Sequence, residues 1–92
     1  MTATIRFFAR FRELLGTDIQ APVEAGATLT GLVRRIAKQN SEGYEAIFDE
    51  SGNFREFVII MKNGKRIERG AAGITLVSDN DEIAVFPPVA GG

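Results

Sequence analysis

The stretch "TLTGLVRRIAKQN", residues 28–40, carries the clearest secondary-structure signal in the chain. Its apolar side chains recur at intervals of three and four residues, which is the spacing of one helix face. They are Leu29, Leu32, Val33, Ile36 and Ala37. Thr28 precedes the run and can cap the helix. The basic residues of the stretch are expected on its solvent side or near its C-terminus: Arg34, Arg35 and Lys38. We therefore predict one amphipathic helix, which needs a second apolar layer to pack against.

Two strand patterns precede this helix. Residues 2–8 alternate, so every second side chain lies on one face. The apolar face holds Ala3, Ile5 and Phe7. Residues 9–16, "ARFRELLG", then fit one or two helical turns closed by Gly16. Residues 18–23, "DIQAPV", predict a second strand, and Pro22 must fall at an edge or a strand end because proline has no N–H to donate. The short connection favours a hairpin between the two strands.

The segment that follows the helix is weakly patterned. Residues 41–57 form a connector with Gly, Ser and acidic residues. One amphipathic turn is expected within it, formed by Tyr44, Ile47 and Phe48. Residues 69–81 are expected to form a loop in which Leu76 anchors the chain to the core.

Two further strand signals complete the pattern. Asn63-Gly64 lies inside "FVIIMKNGKRIE", residues 57–68, and Asn-Gly is a strong hairpin signal because both turn residues take positive φ. Residues 81–86, "DEIAVF", predict the last strand, with Ile83 and Val85 on one face. If this strand lies beside the first, a mixed sheet carries the long helix on one face, which is the α+β β-grasp arrangement. A ferredoxin-like sheet is the alternative, but it needs a second long helix that the connector does not supply.

Composition restricts the kind of protein that this sequence can form. Residues 1–92 are expected to form one domain, with 45% hydrophobic residues and a net charge of −1. No global charge argues for nucleic acid or for a membrane surface. The absence of cysteine and histidine excludes disulfides, thiolate nucleophiles and imidazole acid–base catalysis. No basic-then-apolar leader begins the chain, and we expect a cytoplasmic protein.

The last seven residues, "FPPVAGG", pose the main functional question. Pro87 and Pro88 favour an extended backbone, and glycine passes through places where any other residue would clash. An extended rod that ends in Gly91-Gly92 has a shape that enters a narrow slot. The group delivered is the Gly92 carboxylate, which is inert until ATP activates it as an acyl-adenylate that sulfur or an amine can attack. The alternative is a glycine-rich tail with no function.

Phe8 and Phe86 should point away from the helix, because they alternate with the predicted core residues of the first and last strands. Two phenylalanines on an open sheet face predict a partner surface, unless the connector folds over them.

The polar residues carry weaker signals. Six basic residues could attract an acidic partner or a phosphate, although a solvated face is the favoured interpretation: Arg6, Arg10, Arg12, Lys62, Lys65 and Arg66. Asp79, Asp81 and Glu82 have no accompanying metal-ligand spacing and are expected to be turn residues and exposed charges.

The chain resembles the small subunit of molybdopterin synthase, a family of ubiquitin-like sulfur carriers. The resemblance rests on "DEIAVFPPVAGG" (residues 81–92), with support from "FFARFRELLG" (7–16), "TLTGLV" (28–33) and "NG" (63–64). The segment "FDESGNFREFVIIMKNGK" (48–65) is similar to the archaeal branch, some of whose members are joined through the terminal glycine to lysines of other proteins. The turn "SDNDE" departs from the family, which more often has a glycine there, but Asn80 can also take positive φ.

This resemblance implies a non-catalytic, sulfur-donating subunit. An E1-like enzyme would use ATP to adenylate Gly92, and a sulfur donor would convert it to a thiocarboxylate. The tail would then enter the large catalytic subunit and give sulfur to a pyranopterin precursor of the molybdenum or tungsten cofactor. The chain itself would bind no cofactor and no metal.

The resemblance also implies roles for individual residues. Gly91 and Gly92 would carry the chemistry, within a flexible tail that spans residues 87–92. The partner-binding residues would be Phe8, Phe86, Pro87, Pro88, Val89 and Ala90. The open alternative is a ubiquitin-like modifier, whose partners would be target-protein lysines.

Overall fold

The computed structural model describes residues 1–88. Along the chain its elements are β1 (Thr2–Phe7), α1 (Ala9–Leu15), β2 (Ile19–Pro22), α2 (Leu29–Ala37), α3 (Ser41–Ile47), β3 (Ile59–Lys62), β4 (Lys65–Ile67), α4 (Arg69–Ala72) and β5 (Glu82–Phe86). None of these helices is long and apolar enough to cross a membrane.

The five strands form one mixed sheet in the order β2-β1-β5-β3-β4. The first and last strands are the parallel pair at its centre, with Ile5 opposite Ile83. The other neighbours are antiparallel, including the predicted β1–β2 hairpin. Pro22 ends the edge strand β2, where no ladder needs its missing N–H. This arrangement confirms the predicted β-grasp fold and excludes the ferredoxin-like alternative.

The core lies between the helices and one face of the sheet. The alternating residues of β1 and β5 are buried as predicted: Ala3, Ile5, Phe7, Ile83 and Val85. From α2 the apolar stripe reaches the core, with Leu29 and Val33 fully buried. Thr28 caps α2 by accepting a hydrogen bond from the Gly31 N–H at 3.1 Å. The core is thus formed by the two apolar surfaces that were predicted from the sequence, the inner face of β1 and β5 and the apolar stripe of α2.

The connector is more ordered than the sequence predicted, because it contains a two-turn helix instead of one amphipathic turn. Asn40 begins α3: its side chain accepts from the Gly43 N–H and donates to the Leu14 carbonyl, each at 2.9 Å. Phe48 and Phe54 then pack together with ring centroids 4.7 Å apart, and both are buried. The connector therefore contributes its own aromatic residues to the core.

One prediction about a single side chain is wrong. Leu76 is 58% exposed, and its neighbour Val77 is the buried residue, at 5%. Backbone hydrogen bonds set this register, since the Val77 N–H donates to Ala27 and the Leu29 N–H donates to Thr75. Arg34 lies in the last turn of α2, which is one of the two placements predicted for it, and it is half-buried.

A polar network joins the turns at the end of the sheet opposite to the C-terminal end of β5. Asn63 and Gly64 both have positive φ, as the hairpin prediction requires. The Asn63 side chain donates to Asp81 and accepts from the Glu82 N–H, each at 2.8 Å. Asp81 also accepts from the Ser78 N–H, and Asn80 takes φ 67° in the same turn. The acidic residues therefore act in turns, as predicted, and the β3–β4 hairpin is fastened to the start of β5.

Candidate functional site at the base of the C-terminal segment

The candidate site begins where β5 ends, at Phe86. The Phe86 ring stacks on Phe8, with centroids 4.1 Å apart and ring planes 12° from parallel. The Phe8 N–H donates to the Val85 carbonyl at 3.2 Å, which holds the Phe8 backbone beside the residue that precedes Phe86. Both phenylalanines lie on the sheet face away from α2, as their alternation predicted. A stacked pair of this kind holds Phe86 in one orientation at the point where the chain leaves the sheet.

An open apolar groove surrounds this stack. Its lining includes Phe8, Ala9, Phe11, Ile59, Phe86 and Pro87. The connector contributes Ala46 to the lining but does not cover the phenylalanines, both of which stay half-exposed. The groove is therefore apolar surface that is available to a partner. The alternative that the connector, residues 41–57, folds over the two phenylalanines is wrong.

The turn that presents Phe8 has an unusual backbone. Ala9 has φ 52°, in the left-handed region that few non-glycine residues occupy. This conformation turns the chain sharply between β1 and α1, and Ala9 lines the groove together with Phe86. Residues held in this region carry strain on the order of 1 kcal/mol, which the surrounding packing must offset. Nothing in the sequence signals this, because alanine is an ordinary helix former.

The basic residues do not converge on one site. Arg6 donates to Asp18 at 2.6 Å and lies 3.9 Å from Glu82, and Arg10 pairs with Glu42 at 2.7 Å. The hydrogen bond that Arg6 donates to Asp18, together with the negative charge of Asp18, raises the pKa of Arg6. All three pairs are largely exposed, which fits the solvated face that the sequence favoured. Within residues 1–88 no group of three potential metal ligands comes together.

The sequence-predicted site residues divide into two sets. Phe8, Phe86, Pro87 and Pro88 come together at the groove, with Pro87 half-buried and Pro88 exposed. The remaining predicted residues lie outside the described part of the chain: Val89, Ala90, Gly91 and Gly92. Sequence reasoning missed Ile59 and Ala46. Ile59 could have been found from its position in β3, where it lies opposite Phe86.

The fold and this groove define a class of protein: a ubiquitin-like β-grasp protein with an apolar face at the base of its C-terminal segment. A model of the ThiS family matches residues 5–92. Small archaeal modifier protein 3 of Haloferax volcanii is 37% identical over the whole length of both chains. The molybdopterin synthase sulfur carrier subunit of Escherichia coli is 32% identical over 96% of each chain.

A solved structure agrees on the fold. The crystal structure of SAMP1 from Haloferax volcanii covers all of both chains with a TM-score of 0.84, and its 22% identity supports the fold alone. The chain belongs to the ThiS family of ubiquitin-like sulfur carriers, which confirms the resemblance noted in the sequence.

Proposed function

We propose that this protein is a sulfur carrier for molybdopterin synthesis, with the Gly92 carboxylate as the carrying group. The observation that carries this proposal is the stacked Phe8–Phe86 pair at the end of β5, from which the prolines lead into "VAGG". A rigid apolar base followed by a narrow segment suits delivery of a terminal carboxylate into a partner's active site. The E. coli relative, named a molybdopterin synthase sulfur carrier subunit, supports the same assignment.

Two substitutions would load the carrier, the first at the α-phosphorus of ATP and the second at the terminal carbonyl carbon. A Gly92 carboxylate oxygen attacks the α-phosphorus of ATP on an E1-like enzyme, and pyrophosphate leaves. A persulfide of the donor then attacks the carbonyl carbon of the acyl-adenylate with its outer sulfur, and AMP leaves. A thiol of the donor attacks the inner sulfur of the acyl disulfide so formed, which releases the Gly92 thiocarboxylate and leaves a disulfide on the donor. The large synthase subunit is the proposed acceptor of the loaded tail, where the sulfur passes to a pterin precursor.

The chain's own residues contribute binding and positioning in this scheme. The groove around Phe8 and Phe86 is proposed to dock on both partners in turn, the activating enzyme and then the large subunit. Gly91 and Gly92 are proposed to pass through the narrow slot of each partner.

A ubiquitin-like modifier is the second candidate, and one observation favours it. The Haloferax volcanii relative that aligns over the whole length of both chains is named a small archaeal modifier protein. A lysine amine would attack the same acyl group, so the two functions share their first step. Both can be properties of one chain.

Intact mass of the protein purified from its native cell tests the proposal. A gain of about 16 Da, oxygen replaced by sulfur, marks the thiocarboxylate. Adenylation by the E1-like enzyme encoded in the same genome is followed in parallel as ATP–pyrophosphate exchange. A protein that is never adenylated and never gains this mass would contradict the proposal.

The same cells test the modifier function. Trypsin cleaves after Arg69 and at no later position, so a modified lysine would carry residues 70–92. Conjugates that carry this peptide, with no mass gain in the free protein, would favour the modifier over the sulfur carrier.

A further inference from the structure

Phe57 is an exposed aromatic residue that neither the fold nor the docking groove explains. It is 68% exposed, more than any other phenylalanine in residues 1–88. Its neighbour Val58 is buried at 6% and anchors the segment in the core. Folding leaves most of this ring in water, and an exposed aromatic ring that adjoins other exposed apolar surface is typical of an interaction site.

The backbone around Phe57 is fixed by hydrogen bonds. The Arg55 N–H donates to the Ile47 carbonyl at 2.9 Å, and the Val58 N–H donates to the Arg55 carbonyl at 3.1 Å, which closes a turn around Phe57. The Arg55 side chain donates to the Glu45 carbonyl at 2.7 Å and ties the turn to α3. The ring is therefore displayed by a constrained turn, which lowers the entropy lost when a partner covers it.

Phe57 lies beside the base of the C-terminal segment. It lines a second groove, whose other apolar residues are Ala46, Val58 and Pro88 and whose charged residues are Arg55 and Glu56. Ala46 and Pro88 also line the first groove, the one around Phe8 and Phe86. Apolar surface therefore lies on both sides of Pro88 and is continuous from one groove to the other.

The length of chain beyond Pro88 restricts where a partner must sit. Four residues follow, and even fully extended they span at most roughly 14 Å at about 3.6 Å each. An enzyme that holds the Gly92 carboxylate in its active site must therefore lie close over the surface around Pro88. An active-site slot that encloses the C-terminal segment has walls on more than one side. The partner surface around the slot should therefore contact both grooves.

We propose that Phe57 is a docking residue for the E1-like adenylating enzyme and that the docking surface is a collar formed by both grooves around Pro88. This inference rests on the proposed function, in which adenylation is the first step for sulfur carrier and modifier alike. The partner surface that fits is apolar, surrounds a narrow slot and has a recess for one aromatic ring beside α3.

Steady-state ATP–pyrophosphate exchange tests this, with the full-length protein as substrate and the E1-like enzyme of the same genome as the probe. Phe57→Ser removes the ring. Ile74→Ser is the matched control, because Ile74 is also apolar, 81% exposed and outside both grooves. Phe57→Tyr keeps the ring and checks whether an aromatic side chain is what the enzyme needs.

We expect Phe57→Ser to raise the KM for the carrier protein at least about tenfold, as for an aromatic anchor at an interface. The kcat changes little, because the tail is intact, and Ile74→Ser and Phe57→Tyr behave like the wild type. Urea midpoints of all variants should match the wild type, so that a folding defect cannot mimic the effect. Equal KM values for Phe57→Ser and Ile74→Ser would overturn the collar while leaving the proposed function in place. A wild-type protein that supports no exchange would overturn the proposed function and this inference with it.

Discussion

At the scale of single residues, the sheet face on which a strand side chain lies decides whether it contributes to the core or to the candidate docking surface. Val85 and Phe86 are neighbours in β5, yet Val85 is fully buried and Phe86 is half-exposed against Phe8. Strand alternation alone places them on opposite faces, so this part of the site could be predicted from the sequence. Truncating Val85 should therefore lower the stability of the fold, whereas truncating Phe86 should lower the affinity for a partner.

Phe86→Ala should weaken docking more than it weakens folding. Loss of an aromatic anchor typically costs 2 kcal/mol or more of binding free energy, whereas a half-exposed ring contributes less to stability than a buried one. Titration calorimetry with the large synthase subunit, beside a urea melt, measures both quantities. Phe48→Ala is the control, because Phe48 is 1% exposed and its loss should cost about 3–5 kcal/mol of unfolding free energy. Unchanged affinity with a large loss of stability in Phe86→Ala would place Phe86 with the core residues.

Gly91→Val tests why the chain carries glycine one residue before its end. Position 91 lies outside the described residues, so this stays a prediction from sequence. We expect the free energy of unfolding to change by less than about 0.5 kcal/mol, as for exposed sites. Adenylation or sulfur transfer should fall severely, because valine is bulky, stiff at χ1 and excluded from most positive-φ conformations. Single-turnover assays of each step show which partner imposes the narrow slot, and wild-type rates in both would disprove the slot.

At the scale of elements, the helices and strands that could be predicted from the sequence are those with a regular apolar pattern over their whole length. β1, α2, β5 and the Asn63-Gly64 hairpin follow from periodicity and turn chemistry. The helix α3 could have been found from Asn40, a good N-cap, but its seven residues are too few for a periodic signal. Leu76 was misplaced because the bridge between residues 28 and 76 is a long-range contact that no local pattern reveals. The exposure of Phe57 is likewise set by the turn that α3 holds.

The contact between α1 and α3 depends on Gly43. A Cβ added there would lie 2.8 Å from Leu15 Cγ, closer than real side chains approach. Gly43→Ala should therefore cost about 1 kcal/mol of unfolding free energy, although alanine is the better helix former. In a Leu15→Ala background the clash is gone, and the same substitution should no longer destabilise. Urea melts of the four proteins form a double-mutant cycle, and an equal cost in both backgrounds would contradict this packing.

The turn network around Asp81 should make stability depend on pH. Burial raises the pKa of Asp81, but hydrogen bonds from Ser78 and Asn63 and the charge of Lys62 outweigh it, and the net pKa is lowered. A carboxyl group with a lowered folded-state pKa stabilises the fold above its unfolded pKa, about 3.9, and this contribution is lost as pH falls through the folded value. Asp81→Asn should thus be less stable than the wild type at pH 7.

The same variant supplies the pH test. Urea melts between pH 7 and pH 2 should show the difference between wild type and Asp81→Asn shrinking below about pH 4, as the wild-type carboxyl group is protonated. Asp79→Asn is a control for charge removal in the same turn, since Asp79 accepts one hydrogen bond, from the Thr2 N–H. A stability difference that stays constant over this pH range would show that Asp81 acts through its shape and not through its charge.

At the scale of the whole molecule, the fold and the proposed chemistry occupy separate parts of the chain. Among residues 1–88, the last buried side chain is Val85, so the core is complete before the prolines begin. The two grooves proposed to meet a partner are lined by residues up to Pro88. Changes at Gly91 or Gly92 should therefore leave the core and both grooves unaltered, while Val89 and Ala90 stay predicted partner-binding residues.

Deleting Gly92 should abolish adenylation and leave both the fold and the docking surface intact. The urea midpoint and the circular dichroism spectrum should match the wild type, because no described core residue depends on the terminus. ATP–pyrophosphate exchange should fall to background, because the carboxylate, now on Gly91, falls one residue, roughly 3.5 Å, short of the α-phosphorus. Since both grooves remain, the truncated protein should still compete with the wild type, with an inhibition constant close to the wild-type KM. Adding Phe57→Ser to the truncated protein should weaken this inhibition, which separates docking from chemistry in one assay. A truncated protein that is still adenylated would place the reacting group elsewhere in the chain, and one that unfolds would make the terminus part of the fold.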